Sequence, residues 1–197
     1  MITVEVDAVV VEQRLVAGEL ACPGCGGVLT GWGWGRLRRL RGPAEVVDVR
    51  PRRARCASCG ATHMLLPASA LVRRADLAVV VGAGLELKAA GWGHRRIGER
   101  LGRPVSTVRG WLRCWSRRAG RVAGVFTSLL VALSDDPAGV LPLPGASAFA
   151  DAVAAVAGFA FAARSRFGMV TAPTWRLASA ACHGQLLAPG WPPPARR

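Results

Sequence analysis

The sequence predicts an α+β fold in which a small N-terminal β unit is followed by mainly α-helical units. Paired cysteine motifs enclose alternating apolar and polar residues, which is typical of a metal-held β-hairpin. A helical periodicity is then interrupted by a turn containing glycine and proline, and the last third of the chain is alanine-rich and apolar. We place the unit boundaries at 1–74, 75–121 and 122–197.

The chain begins with "MITVEVDAVVVEQ", whose alternating apolar residues predict an N-terminal strand. This stretch lacks the basic region and apolar core of a signal peptide. We therefore expect a cytoplasmic protein. In a reducing compartment its six cysteines act as metal ligands or free thiols rather than as a disulfide framework.

Four cysteines form two Cys-x-x-Cys motifs, each followed by a glycine: Cys22, Cys25, Cys56 and Cys59. Such a turn points two thiolates at one ion, and two turns complete a tetrahedral Zn²⁺ site. A thioredoxin-like redox pair and an extracytoplasmic disulfide pair are the alternatives, but a redox pair normally has a βαβ context and no matching second pair. We therefore expect a zinc ribbon over residues 1–74, with a structural Zn²⁺ that has no open coordination position.

Thirty residues separate Cys25 from Cys56, a gap that suits a β-hairpin arm with strands in 28–40 and 45–56. So small a unit has little core, and metal binding is expected to supply its folding energy. His63 lies four residues after Cys59. Three roles stay open for it: a zinc ligand, a phosphate contact, or a packed or surface histidine.

The net charge of +14 comes from 26 basic and 12 acidic residues, and Lys88 is the only lysine. Residues 22–121 carry 20 of the basic residues. The planar guanidinium fork of arginine grips phosphate or a guanine edge through two hydrogen bonds. Nucleic acid is therefore the expected partner, with a membrane surface or a merely solvated basic face as alternatives.

Residues 94–118 have the pattern of a helix-turn-helix, which we assign to the unit 75–121. An earlier helix is expected in 74–91, Gly102 begins the turn, and Pro104 starts the next helix near Val105. On that second helix the apolar residues share one face: Val108, Trp111, Leu112 and Trp115.

The opposite face of this helix is polar and basic, which favours double-stranded DNA as the partner. Ser106 and Arg109 would meet base edges in the major groove, and Arg113 would meet a base or a phosphate. The full set of DNA-binding candidates is Ser106, Thr107, Arg109, Arg113 and Arg117, with Arg95, Arg96, Arg103 and Arg118 expected on the phosphate backbone. The alternative is an ordinary helical hairpin with solvated arginines.

The unit 122–197 is predicted to contain two apolar helices, in 121–134 and 147–167, and a Pro-rich tail from residue 188. Helix faces with so few charged residues are expected to pack against another surface. That surface belongs either to a second copy in a homodimer or to the preceding helices of the same chain. The uninterrupted apolar stretch 152–163 is short for a bilayer, so no membrane partner is expected.

The acidic residues after the helix-turn-helix are too few for strand transfer by two metal ions: Asp135, Asp136 and Asp151. No catalytic residue and no small-molecule substrate is evident, and we expect a protein that is not an enzyme.

The stretches "CPGCGG", "RRARCASCGATHMLLPA" and "RIGERLGRPVSTVRGWL" resemble an actinobacterial family of unknown function, in which a transposase-like zinc ribbon precedes a helix-turn-helix. "TWRLASAACHGQLLAPG" is similar to that family's C-terminal signature. The resemblance covers most of the chain and implies DNA binding without catalytic residues.

Together these features predict a non-catalytic, zinc-containing DNA-binding protein that acts as a transcription regulator or a transposase-derived DNA binder. One alternative is an accessory subunit that brings a separate transposase to DNA. Another is RNA binding through the ribbon, where Trp32 and Trp34 would stack on bases.

Overall fold

The computed structural model describes residues 1–136, 141–168 and 171–193, and these form six strands and seven helices. In chain order the elements are β1 (Ile2–Val4), α1 (Ala8–Val16), β2 (Leu29–Trp34), β3 (Arg38–Arg41), β4 (Val46–Val49), β5 (Arg52–Cys56), β6 (Thr62–Pro67), α2 (Ala78–Ala89), α3 (His94–Leu101), α4 (Val105–Ser116), α5 (Ala119–Leu133), α6 (Ala148–Phe167) and α7 (Thr174–Ala181). All strands precede α2, so the α+β class is confirmed.

The N-terminal unit is a four-stranded sheet in the order β1-β6-β5-β2. Strand β1 is parallel to β6, and the other neighbours are antiparallel. The predicted N-terminal strand is only three residues long, and a helix follows it that the alternating pattern did not indicate. Asp7 caps α1 by accepting from the Val9 N–H, and Val11 and Leu15, one turn apart, are buried.

The predicted hairpin arm between the cysteine pairs is confirmed, but it is divided into two parts. In the part of the arm next to the cysteines, β2 pairs with β5. In the outer part, farther from the cysteines, β3 pairs with β4 in a separate two-stranded sheet. A bulge between Gly31 and Trp34 interrupts the first part before the two strands pair again at Trp34 and Arg52, and Gly33 within the bulge has the positive φ of +93°. The outer part, β3–β4, packs on the helical unit through Leu40, which is buried.

Helices α2 to α7 share one hydrophobic core, so residues of 75–121 and of 122–197 pack together rather than separately. The largest helix-to-helix interface joins α5 and α6, whose Phe126 and Phe159 rings lie 5.3 Å apart. Trp115 of α4 meets Trp175 of α7 edge-on at 5.8 Å. Trp191 in the Pro-rich tail packs on Phe126, and the last four tail residues lie outside the described ranges.

Helix α6 has 20 residues and is longer than the uninterrupted apolar stretch 152–163. By length and composition it is a candidate to cross a membrane, a test that the core helix of a soluble protein also passes. Its inner face, which includes Ala155, Val156 and Phe159, is buried in the helical core.

A buried ion-pair network fastens the hairpin arm to the helical unit. Asp76 is only 2% exposed, and its carboxylate accepts from Arg41 Nη2 at 2.8 Å and from Arg103 Nε at 2.6 Å. Arg103 Nη2 also donates to the Gly42 carbonyl at 2.6 Å. The tip of the arm is thereby held at the turn between α3 and α4.

Candidate metal centre and nucleic-acid interface

The sulfur atoms of four cysteines converge at one end of the N-terminal sheet: Cys22, Cys25, Cys56 and Cys59. All four lie within 4.8 Å of one another, with 3.5 Å between Cys25 Sγ and Cys56 Sγ and 3.9 Å between Cys22 Sγ and Cys59 Sγ. A tetrahedral Zn²⁺ with Zn–S bonds of about 2.3 Å holds its sulfur ligands about 3.8 Å apart. The four cysteines are therefore close enough to bind a metal ion, and their spacing fits zinc.

Both cysteine turns have the same backbone geometry. In the first, the Gly26 N–H donates to the Cys22 carbonyl at 2.8 Å, and in the second the Gly60 N–H donates to the Cys56 carbonyl at 3.1 Å. Gly26 and Gly60 each have φ of +72°, a left-handed conformation that L-residues rarely adopt. The glycine after each motif is thus required by the turn that aims the thiols at one point.

The ionisation of the thiols is set by backbone N–H groups and by the neighbouring thiols. Backbone N–H groups of Cys59 and Ser58 lower the pKa of Cys56 to about 6, against the opposing effect of burial. At Cys25 the Gly27 N–H acts to lower the pKa, but hydrogen bonds with the Cys56 and Cys59 thiols outweigh it and raise it to about 12. A divalent cation bound to the cluster would displace the proton that these hydrogen bonds keep on Cys25.

His63 lies beside this cluster on β6, with Nε2 3.4 Å from Cys22 Sγ. The four sulfur atoms already supply the four ligands that a tetrahedral Zn²⁺ takes, and His63 lies beside this set of ligands. Among the three roles left open by the sequence, the contact with Cys22 Sγ favours a packed histidine.

The helix-turn-helix has the expected local geometry. Gly102 ends α3 with φ of +61°, and Pro104 precedes the first residue of α4. A Cβ added at Gly98 would lie 2.9 Å from the Arg103 carbonyl oxygen, so glycine is needed where the turn crosses α3. The apolar face of α4 is buried as predicted: Val108, Trp111, Leu112 and Trp115 are each at most 8% exposed.

The opposite face of α4 is open to solvent. Its exposed residues are Ser106, Arg109, Arg113 and Arg117, and Thr107 is half-buried. Three guanidinium groups therefore extend from one side of a helix whose other side is fixed in the core. This arrangement matches a recognition helix with its N-terminal half free to enter a groove.

A shallow depression adjoins this face, where the end of α2 and the start of α3 meet α4. It is lined by Lys88, Gly93, His94, Arg109, Leu112, Arg113, Ser116 and Arg117. No side chain caps the N-terminus of α3, so its first N–H groups add partial positive charge. The depression is suited to a phosphate group.

Lys88 and His94 were missed by the sequence reasoning, although they line the same depression as the predicted arginines. Lys88 is the only lysine and lies in the last turn of α2. His94 is the first residue of α3, directly before two arginines. For His94 the signal that could have identified it is its position at a helix N-terminus, where anions bind. Lys88 lies instead at a helix C-terminus, where a cation interacts favourably with the helix dipole, and that position does not mark an anion site.

Two of the four arginines expected on the phosphate backbone are exposed. Arg95 lies on the surface, and Arg96 is also exposed, with its guanidinium 3.9 Å from the centre of the Trp92 ring. Such stacking holds the charge in place while leaving its edge available.

The other two arginines have partners inside the chain, which differs from the sequence expectation. The side chain of Arg103 is 11% exposed and is held by Asp76 and Gly42. Arg118 donates to the carbonyls of Ala188 and Trp191, and so ties the C-terminal segment to α4. Both side chains therefore stabilise tertiary contacts, and their guanidinium groups are not free to bind phosphates.

The two tryptophans considered for RNA stacking do not form one platform. Trp32 packs with Arg55 at 4.8 Å, and Trp34 packs with Arg52 at 4.9 Å. Arg52 is bound to Glu12 of α1, and Trp34 lines a groove beside that helix. The two tryptophans therefore stack on different arginines of β5.

A family described as a homeodomain-like domain matches residues 82–125. The matched range runs from within α2 to within α5 and supports a helix-turn-helix in residues 82–125. The cysteine cluster lies outside it. No curated protein and no solved structure matches the chain.

Proposed function

We propose that this protein is a non-catalytic, zinc-containing helix-turn-helix protein that reads duplex DNA, as a transcription regulator or a transposase-derived DNA binder. The observation that carries the proposal is the basic, solvent-exposed face of α4 within a homeodomain-like match. Its opposite face is rigidly packed, so the arginines project from a fixed support.

In this proposal α4 enters the major groove with its N-terminal half. Ser106 and Arg109 reach base edges, where arginine pairs with guanine through two hydrogen bonds. Arg113 and Arg117, together with Lys88 and the start of α3, hold a backbone phosphate in the depression beside α4. Arg95 and Arg96 extend this phosphate contact along α3.

The cysteine cluster is proposed to hold a structural Zn²⁺, which would supply folding energy to the ribbon. The small core of this unit includes two of the four cysteines, Cys22 and Cys56. A cytoplasmic location is proposed because a reducing compartment keeps the thiols free for metal.

A homodimer is proposed for the DNA-bound form, since paired recognition helices match two half-sites. The exposed Phe161 and Phe167 of α6, 61% and 60% accessible, support an apolar contact between copies. The buried faces of α5 and α6 serve the intramolecular core.

The test is selection of bound duplexes from a random DNA pool by the zinc-loaded protein at about 150 mM salt, where non-specific phosphate binding is weakened. An enriched motif supports a sequence reader, and a palindromic motif supports the dimer. The control is the Arg109→Ala protein, which should lose preference at one position of the motif. If the protein retains DNA without enriching a motif, and this binding disappears as the salt concentration rises, sequence-specific reading is contradicted.

A further inference from the structure

Arg109, the arginine best placed to read a base, has a partner on the neighbouring helix. Its Nη2 atom lies 3.0 Å from Nε2 of His94, the first residue of α3. The two residues are 15 positions apart and lie on either side of the turn. The contact therefore forms only when α3 and α4 are packed as a helix-turn-helix.

The chemistry of the two side chains fixes the direction of this bond. A guanidinium group can only donate, so Nε2 must be the acceptor and the imidazole proton must be on Nδ1. One of the five N–H groups of Arg109 is used in this way. Four remain, enough for the two-bond contact with a guanine edge.

The electrostatic surroundings make this acceptor important. Lys88 from α2 and Arg113 and Arg117 from α4 line the same depression as His94 and Arg109. These cations repel a guanidinium group, and no other partner of Arg109 is recorded among the described residues. Without the imidazole, Arg109 is a long, exposed side chain with many rotamers, and ordering it on DNA opposes binding.

We propose that His94 is a positioning residue that holds Arg109 in the orientation that reads its base, and is thereby a determinant of sequence specificity. This inference rests on the proposed function, because it requires that α4 reads duplex DNA. His94 itself need not touch a base.

The experiment is a double-mutant cycle on the full-length, zinc-loaded protein. Four proteins are compared: wild type, His94→Ala, Arg109→Ala and the double variant. Each is titrated, by fluorescence anisotropy, with the enriched duplex and with three duplexes that carry the other base pairs at one position. That position is the one at which Arg109→Ala loses its preference. Arg95→Ala is the matched control, because it removes an exposed charge on α3. His94→Gln keeps a hydrogen-bond acceptor at the same position, and thermal unfolding is recorded for every variant.

We expect Arg109→Ala to lose about tenfold discrimination at that base pair, and His94→Ala to lose most of the same factor with an unchanged unfolding temperature. The double variant should discriminate no worse than Arg109→Ala alone, because both changes remove one interaction. His94→Gln should recover part of the preference. Arg95→Ala should weaken binding to all four duplexes equally.

Two results would overturn the inference while leaving the proposed function intact. In the first, the double variant loses discrimination between duplexes by the product of the two single losses. In the second, His94→Ala discriminates as well as wild type or better. A wild-type protein that binds all four duplexes equally would overturn both. These outcomes separate a positioning role from a merely structural one, since loss of structure would act on every duplex and on the unfolding temperature.

Discussion

Replacing Asp76 with alanine should destabilise the protein far more than any exposed acid does. The carboxylate is 2% exposed and holds two guanidinium groups, at 2.8 Å from Arg41 and 2.6 Å from Arg103. Removing one member of a buried ion pair leaves a buried charge without compensation, which costs about 3–5 kcal/mol. Arg103 keeps its bonds to the carbonyls of Gly42 and Leu101, so we expect the lower end, about 3 kcal/mol.

The assay is equilibrium unfolding in urea, supported by thermal unfolding, where a loss of about 3 kcal/mol corresponds to roughly 6–12 °C for a chain of this size. Asp48→Ala is the matched control on the same arm. Asp48 pairs with Arg39 at 3.6 Å, and both side chains are more than half exposed, so this change should cost at most about 1 kcal/mol. Equal effects of the two substitutions would refute the reasoning that burial of the Asp76 network fastens the arm to the helix-turn-helix.

Three further predictions follow from individual contacts. Cys56→Ser should remove bound zinc and unfold the ribbon, measured by metal content and thermal unfolding, and full zinc content with an unchanged transition would contradict the metal assignment. Arg109→Ala should cost about 1–3 kcal/mol at one base pair, whereas Arg95→Ala should act uniformly and lower the salt dependence; equal effects would mean that α4 does not read bases. Gly82→Ala should destabilise by about 1–3 kcal/mol in urea unfolding, because its Cβ would lie 1.9 Å from the Trp175 ring. Gly124→Ala, with nothing within 4 Å, should instead stabilise α5 by up to about 1 kcal/mol, and the same sign for both glycines would refute the packing argument.

The features predicted correctly from the sequence are local ones. The start of α4 follows from Pro104, the end of α3 from Gly102, and the buried face of α4 from the spacing of Val108, Trp111 and Trp115. Each depends on residues within one or two turns of helix. Two helices were not predicted, α1 and α7. Helix α1 was hidden because the residues just before it alternate in polarity, and its capping residue Asp7 starts a helix directly after that pattern.

The intramolecular partners of two arginines could not be predicted from the sequence, because those partners are distant in the chain. Arg118 was expected on DNA, but it donates to carbonyls 70 and 73 residues away. Arg103 was expected on a phosphate, but Asp76 accepts from it 27 residues away. A long, flexible arginine side chain can donate to any hydrogen-bond acceptor within its reach. Only the packed fold brings those acceptors close to it.

The sequence by itself determined the α+β class, the cysteine turns and the helix-turn-helix, because turn chemistry and apolar periodicity act over a few residues. Only the tertiary structure decided that 75–121 and 122–197 share one core, which arginines face solvent, and that His94 meets Arg109. These outcomes depend on which surfaces meet when separate elements pack. Contacts between residues that are distant in the chain produce no periodic pattern in the sequence from which they could be predicted.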